Sequence, residues 1–272
     1  MNLWGPFMSN ASHDNFCDDD LSAREPLVSV VMPAYNASRT IASSIKSVQR
    51  QLYGNWELLV VDDCSTDDTV LIVKRLSTID GRIKLISLDK NSGRPAYPRN
   101  VAIKEAAGEF ISFLDADDEW MPIKLKKQVS FMTRSKIAFS CSGYDVISFA
   151  GEQIGSFNPP IVCSYNDLLA NNSVGCLTAM YDVRILGKQY FPICGHEDYA
   201  LWLAILRKGY SVHGLQEPLS LYRLTPGSIS SSKFKLLGFF WNIYKNQEGF
   251  PHLMSLLFCL RYAWNSRGKY NN

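Results

Sequence analysis

The sequence predicts an α/β fold in which a mostly parallel sheet is covered by helices. Three observations lead there. Short β-branched runs alternate with helix-patterned segments four times in under a hundred residues. The apolar runs end in turn residues or acids, as strands do where they leave a sheet. The chain of 272 residues, 46% hydrophobic and 12% aromatic, has enough apolar side chains for a large core and does not read as disordered.

Each element has its own signature. "LVSVVM", from Leu27, is a first strand that Pro33 is expected to close. Between Thr40 and Leu52, the residues Ile41, Ile45, Val48 and Leu52 lie on one helical face. "WELLVV" (Trp56 to Val61) is a second strand ending at Asp62 and Asp63. Ser65, Thr66 and Asp67 then offer caps for a helix carrying Ile72, Val73 and Leu76. "RIKLISL" is a third strand, "NSGRPAYPRN" a turn-rich loop, and "VAIKEAAG" a helix that Gly108 can stop. "FISFL" is the fourth strand. Beyond Trp120 the pattern loosens into an amphipathic helix ("KLKKQVSFM"), one or two strands ("KIAFSCSGYDVIS") and a helix in "HEDYALWLAILRKGY" with Gly209 as its stop.

Several function classes lose support at once. A formal charge of +2 gives no global basic signature for nucleic acid. Seven scattered cysteines without a CxxC pair argue against a disulfide framework or zinc knuckle and for a reducing, cytoplasmic setting. The first residues lack a basic start and a continuous apolar run, so no signal peptide is expected, and Asp18 to Asp20 read as solvated charge. No apolar run is long enough to span a bilayer. No GxGxxG follows the first strand, which disfavours a dinucleotide oxidoreductase.

The acids carry the chemistry. Parallel sheets bind ligands in the crevice at the carboxyl ends of their strands. Asp62–Asp63 and the "DADD" of Asp115 to Asp118 both fall there. Asp115 and Asp117 are two apart and can point to one side, where their repulsion is relieved by a hard divalent cation. Such a cation would stabilise a departing diphosphate; the competing reading is that these acids cap the next helix. A carboxylate at Asp62–Asp63 can accept hydrogen bonds from a base or ribose. Glu197–Asp198 opens a helix, as a general base or as acids complementing the dipole. His196 is either a metal ligand or polar surface. Arg94, Arg99 and Arg223 can neutralise a diphosphate or form surface ion pairs.

Taken together, "VSVVMPAYNASRTIASSIKSVQRQLYGNWELLVVDDCSTDDT", "NSGRPAYPRNVAIKEAAGEFISFLDADDEWMP" and "GHEDYALWLAILRKG" resemble family 2 glycosyltransferases with the Rossmann-like GT-A fold, from Pro26 to about Ser232. The resemblance implies a tail over 1–24 and a catalytic domain over 25–232. Residues 25–120 would bind the nucleotide-sugar and 121–232 the acceptor, followed by a helical appendage over 233–272. It implies inverting transfer from a nucleotide-diphosphate sugar, most often a UDP-sugar, with Mn²⁺ or Mg²⁺. Pro33, Ala34 and Tyr35 would lie against the nucleoside, with Asp63 on the base beside Asp62. Asp115 would approach the ribose or diphosphate, Asp117 would bind the metal, and Asp118 has no assigned role. Asp198 would be the catalytic base, with Glu197 as the fallback.

Tyr97–Pro98 before Arg99–Asn100 depart from the small residue usual in the family loop, which leaves that loop's donor contact open. A "QxxRW" motif is absent, so one sugar per encounter is expected. The ending "RYAWNSRGKY" resembles tails of bacterial enzymes that build O-antigen, capsule or teichuronic-type glycans. It implies a polyprenyl-linked glycan acceptor at the inner face of the cytoplasmic membrane. The aromatics and cations after Ser232 fit either peripheral contact with an anionic membrane or packing on the catalytic domain. The alternatives are a metal-dependent sugar nucleotidyltransferase, which "PAYNASRT" after the first strand disfavours, and a non-catalytic sugar-nucleotide-binding protein.

Overall fold

The computed structural model describes residues 25–224 and 233–265, with 233–237 as backbone. The acidic tail before Glu25 and the "SRGKY" ending lie outside the described residues. The first half runs β1 (Val28–Ala34), α1 (Ile41–Gln49), β2 (Trp56–Asp62), α2 (Thr69–Ile79), β3 (Ile83–Ser87), α3 (Ala96–Glu105) and β4 (Phe110–Phe113). The second half begins with β5 (Glu119–Trp120), α4 (Lys124–Ser135), β6 (Phe139–Ile147), β7 (Gln153–Phe157), β8 (Val162–Cys163) and α5 (Tyr165–Ala170). It continues with β9 (Met180–Asp182), α6 (Val183–Leu186), α7 (Glu197–Leu206), β10 (Val212–Arg223), α8 (Lys233–Asn242) and α9 (His252–Asn265).

One sheet joins both halves in the order β3-β2-β1-β4-β9-β6-β10-β5, with β7 beside β6 and β8 beside β10. β1, β2, β3 and β4 are parallel. β9 is antiparallel to both β4 and β6, and β10 runs parallel to β6. The carboxyl ends of β1, β2, β4, β6 and β10 therefore share one edge. That edge receives Asp62, the Asp115–Asp118 turn and Arg223.

Alternation puts Val28, Val30 and Met32 under α1 and α2, and Val31 on the opposite face with α3 and α7. Both faces of β1 and β2 are buried, which is why these strands read as continuous apolar runs. A buried polar group crosses the second half. The Lys124 Nζ donates to Gln128 Oε1 at 2.7 Å, and Gln128 Nε2 donates to Ser140 Oγ and the Thr178 carbonyl.

Three local expectations change. Pro33 lies inside β1, paired in register with Val61. β4 pairs only as far as Val31, so on that side no ladder requires the missing N–H. α3 begins at Ala96, inside the segment expected to be loop, because Pro98 falls in a first turn that has no use for its N–H. Gly108 does not stop α3, which ends at Glu105. It is glycine for close approach: a Cβ there would lie 2.5 Å from the Ser29 nitrogen.

Candidate active site

Two loops at the sheet edge are stitched together by the protein's own hydrogen bonds. Asn36, held at φ 48°, donates its N–H to Ser65 Oγ at 2.9 Å, and its side-chain oxygen accepts from the Thr66 N–H at 2.8 Å. Asp67 accepts from the N–H groups of Ser38 and Thr69, each at 3.0 Å, so it holds the first residue of α2 while anchoring the loop after β1. Pro33 and Ala34 end β1 below that loop, and Tyr35 stands 53% exposed at the mouth.

Asp62 and Asp63 are both buried. Asp62 accepts the Ser65 N–H at 3.0 Å through Oδ2, while its Oδ1 is buried without a partner. Asp63 accepts the Ser92 N–H and hydroxyl, each at 2.8 Å, and its carbonyl accepts from the Asn91 amide. A carboxylate offers about four lone-pair positions. Asp63 thus ties down the loop before α3 and retains acceptor capacity.

The acidic turn after β4 is a joint. The helix-capping reading fails, because β5 follows it and α4 begins only at Lys124. Asp115 accepts from Arg99 Nη2 at 2.5 Å. Asp118 is buried and accepts the Arg223 N–H at 2.8 Å. Burial pushes its carboxyl well above the usual range, helped by Asp117 and Asp115. Arg223 does not stand open to a phosphate. Its guanidinium donates to the Asp117 carbonyl at 3.0 Å and to Glu119 Oε1 at 2.7 Å, fastening the turn to the end of β10.

Arg99 is likewise committed, buried against Asp115 and 5.2 Å over the Phe191 ring, although its Nε has no partner. Asp198 and Asp115 both lie within electrostatic reach of that guanidinium and of the Cys176 thiol. Arg99 and Asp115 are therefore in contact, with Cys176 and the start of α7 close enough for their charges to be felt. Burial pushes the Glu197 carboxyl up, whereas Asp198 beside it is half-exposed.

His196 precedes them at φ 55°, its ring stacked 5.2 Å from Phe240 and its Nε2 buried without a partner. It lies against α8 as a packing residue. Gly195 makes that approach possible, since a Cβ there would come within 1.9 Å of Phe239. Next to this contact opens a cleft of about 390 Å³ lined by Arg94, Cys194, Gly195, Phe239 and Asn242. It is large enough for a sugar-sized ligand.

Sequence reasoning missed Cys176, Ser92 and the contact of α8 with Gly195. A lone cysteine and a loop serine carry no periodic signal, and only the tertiary fold brings them to the site. As to metal, no group of three or more ligating side chains converges among the described residues. The crowding of Asp115, Asp117 and Asp118 still fits a cation held through one or two carboxylates and completed by phosphate oxygens.

With this geometry in place, the sequence profile described as Glycosyl transferase family 2 matches residues 29–177, from β1 to the turn containing Cys176. The chain belongs to glycosyltransferase family 2. Among relatives of this glycosyltransferase is the Bacillus subtilis protein TuaG, whose name assigns it to teichuronic acid biosynthesis. It is 40% identical over 245 residues, covering 89% of this chain and 96% of that one. The Escherichia coli UDP-Glc:α-D-GlcNAc-diphosphoundecaprenol β-1,3-glucosyltransferase WfgD is 44% identical over 218 residues, 80% of this chain and 85% of its own. The structure of Staphylococcus aureus TarS 1–349 in complex with UDP-GlcNAc superposes with a TM-score of 0.67 at 22% identity, over 87% of this chain and 71% of that one. At that identity the likeness establishes the GT-A fold.

Proposed function

We propose that this glycosyltransferase moves a sugar from a UDP-sugar to a hydroxyl of a polyprenyl-diphosphate-linked glycan, with inversion, in the assembly of a bacterial surface polysaccharide. The observation that carries this reading is the ion pair of Arg99 with Asp115 at the carboxyl edge of the sheet, with Asp198 of α7 within electrostatic reach of the same guanidinium. A donor's diphosphate at the acidic turn then has an acid across the crevice, where an acceptor hydroxyl must be deprotonated. The specificity named for WfgD and the UDP-GlcNAc complex of TarS support the donor class, and WfgD supports the acceptor.

In the proposed reaction, Pro33, Ala34 and Tyr35 border the nucleoside and Asp63, with Asp62 beside it, accepts from the base. Asp198 takes the proton of the attacking hydroxyl, and its partial exposure lets an acceptor reach it. Glu197 is buried, which favours Asp198 of the two. Arg99, held by Asp115, sets positive charge near the leaving group, while Arg223 keeps the acidic turn in shape. Mn²⁺ or Mg²⁺ at Asp117, with Asp115 beside it, would neutralise charge on the departing diphosphate when bound. The mannosyltransferase PcManGT from Pyrobaculum calidifontis, solved with GDP-Man and Mn²⁺, supports that expectation. The cleft beside Arg94 suits the acceptor's approach. Such an acceptor places the enzyme at the cytoplasmic face of a membrane; among the described residues no helix is long and apolar enough to cross one.

The test is UDP release from UDP-glucose with a short-chain GlcNAc-diphospholipid, and NMR of the product's anomeric coupling. A β-linked product is expected, with Asp198→Asn slower by about 10²–10⁴-fold and Asp117→Ala without metal-dependent turnover. An α-linked product would overturn inversion. Pyrophosphate release from UTP and a sugar phosphate would replace the reading with nucleotidyl transfer.

A further inference from the structure

We infer that the outward face of α9 is a docking surface for an anionic lipid bilayer. Leu253, Leu257, Leu260 and Trp264 follow one another at spacings of four, three and four, which keeps them in one stripe along the helix. They are 71%, 58%, 59% and 71% exposed, and the exposed Leu256 and Met254 flank them. The opposite face is spent on the protein, where Ser255 and Cys259 are buried and Tyr262 packs on Phe240 at 3.8 Å between ring centroids. A contiguous apolar stripe of this kind is rare on a surface meant only for water.

Charge selects the occupant. From Lys233 to the end of the chain the sequence carries Lys233, Lys235, Lys245, Arg261, Arg267 and Lys269 against Glu248 as its only acid. Glu248 is itself turned inward onto Arg207 and Tyr165. Exposed Arg261 borders the stripe, three residues before Trp264 and four after Leu257, where its stem can lie along apolar surface with its head in water. A second copy of this chain docked on the stripe would bring exposed Arg261 toward its own counterpart. An anionic membrane complements them, and tryptophan favours the headgroup level. With 14 residues, α9 is about 21 Å long, short of a hydrocarbon core of about 30 Å, so it lies in the interface.

Docking also has a route to the site. α9 packs through Tyr262 on Phe240 and Tyr199, and α8 touches Gly195 through Phe239, just before Glu197–Asp198. A bilayer under α9 would thus lie on an element fastened to the start of α7. The lipid-linked acceptor of the proposed function agrees with a membrane partner, which the charge of this segment selects by itself, and the test needs no substrate.

The experiment is co-sedimentation of the full chain with vesicles of phosphatidylglycerol and phosphatidylcholine, and with phosphatidylcholine alone. The wild type is expected on the anionic vesicles. Leu257→Glu with Leu260→Glu should lower partition by about tenfold or more while thermal melting stays unchanged, since both sites are exposed. Wild-type protein left in the supernatant would overturn the inference. So would equal partition of both proteins, or a dimer in solution that the same substitutions dissociate without any lipid binding. Vesicle binding with the expected loss, from a protein that turns over no nucleotide-sugar, would sink the proposed function and leave the docking face standing.

Discussion

Burial of the Lys124 ammonium carries a cost that its surroundings only partly return. The side chain is fully buried, 4.1 Å over the Trp120 ring, with hydrogen bonds to Gln128 and Ser112 and no carboxylate among its partners. Burial pushes its pKa down to about 7. The unfolded chain holds that proton to about pH 10.4. Between those values the unfolded state binds more protons, so this residue's contribution to stability rises with pH and is lost again as pH falls toward 7. The buried Cys141 and half-buried Cys176 thiols, both pushed up by desolvation, act in the opposite direction at alkaline pH. The readout is therefore a difference between two proteins. Urea unfolding of the wild type relative to Lys124→Met should gain about 2 kcal/mol from pH 7 to pH 9. Parallel stability profiles would show that Lys124 stays charged when folded. Nothing in "PIKLKKQ" distinguishes this lysine from its exposed neighbours, because burial here is decided by β6 and the turn at Thr178.

At the scale of elements, Glu57 joins three neighbours of β2. Its Oε1 accepts the Ser29 hydroxyl of β1 at 2.6 Å and the Ala107 N–H at 2.7 Å, and its Oε2 pairs with Lys84 of β3 at 2.7 Å. Burial alone would raise this carboxyl's pKa, but the bonds from Lys84, Ser29 and Ala107 outweigh it and hold it below the ordinary value. Glu57→Ala leaves the buried Ser29 hydroxyl and the Ala107 N–H without their acceptor and should cost about 3 kcal/mol in chemical denaturation. A loss under about 1 kcal/mol would mean the strand corner relaxes around the gap. The parallel half of the sheet was legible in sequence because its strands, buried on both faces, are β-branched runs separated by amphipathic helices. The acids at the strand ends were legible for the same topological reason. What each acid or arginine touches was not. Arg223 looked available for phosphate, yet a strand of twelve residues carries it to the acidic turn. Pro33 and Pro98 misled at element boundaries, since only the neighbouring strand and the helix register decide whether a missing N–H matters.

For the molecule as a whole, α8 and α9 are part of the core that holds α7. Phe240, Ile243, Tyr244 and Cys259 belong to the same buried cluster as Phe113, Phe139 and Trp202. The Tyr199 and Tyr244 hydroxyls lie 2.9 Å apart and donate to the carbonyls of Leu168 and Leu169, joining α7, the C-terminal helices and α5 inside the protein. Asn265 reaches back to the Ala170 carbonyl at 2.9 Å, closing the strap at its far end. The packing reading and the membrane reading of this segment therefore concern opposite faces of the same helix. Burying a large apolar side chain is worth about 1.5–3 kcal/mol. Losing Phe240, Ile243 and Tyr244 would consume a large part of a typical stability of about 5–15 kcal/mol. A chain ending at Ser232 is thus expected to lose cooperative melting and nucleotide-sugar turnover together, read by circular dichroism and UDP release on the same samples. Retention of a sharp transition near the wild-type temperature would show that residues 25–224 form a core of their own. The paired charge substitutions on α9 should leave both readouts intact, because they touch the face that the core does not use.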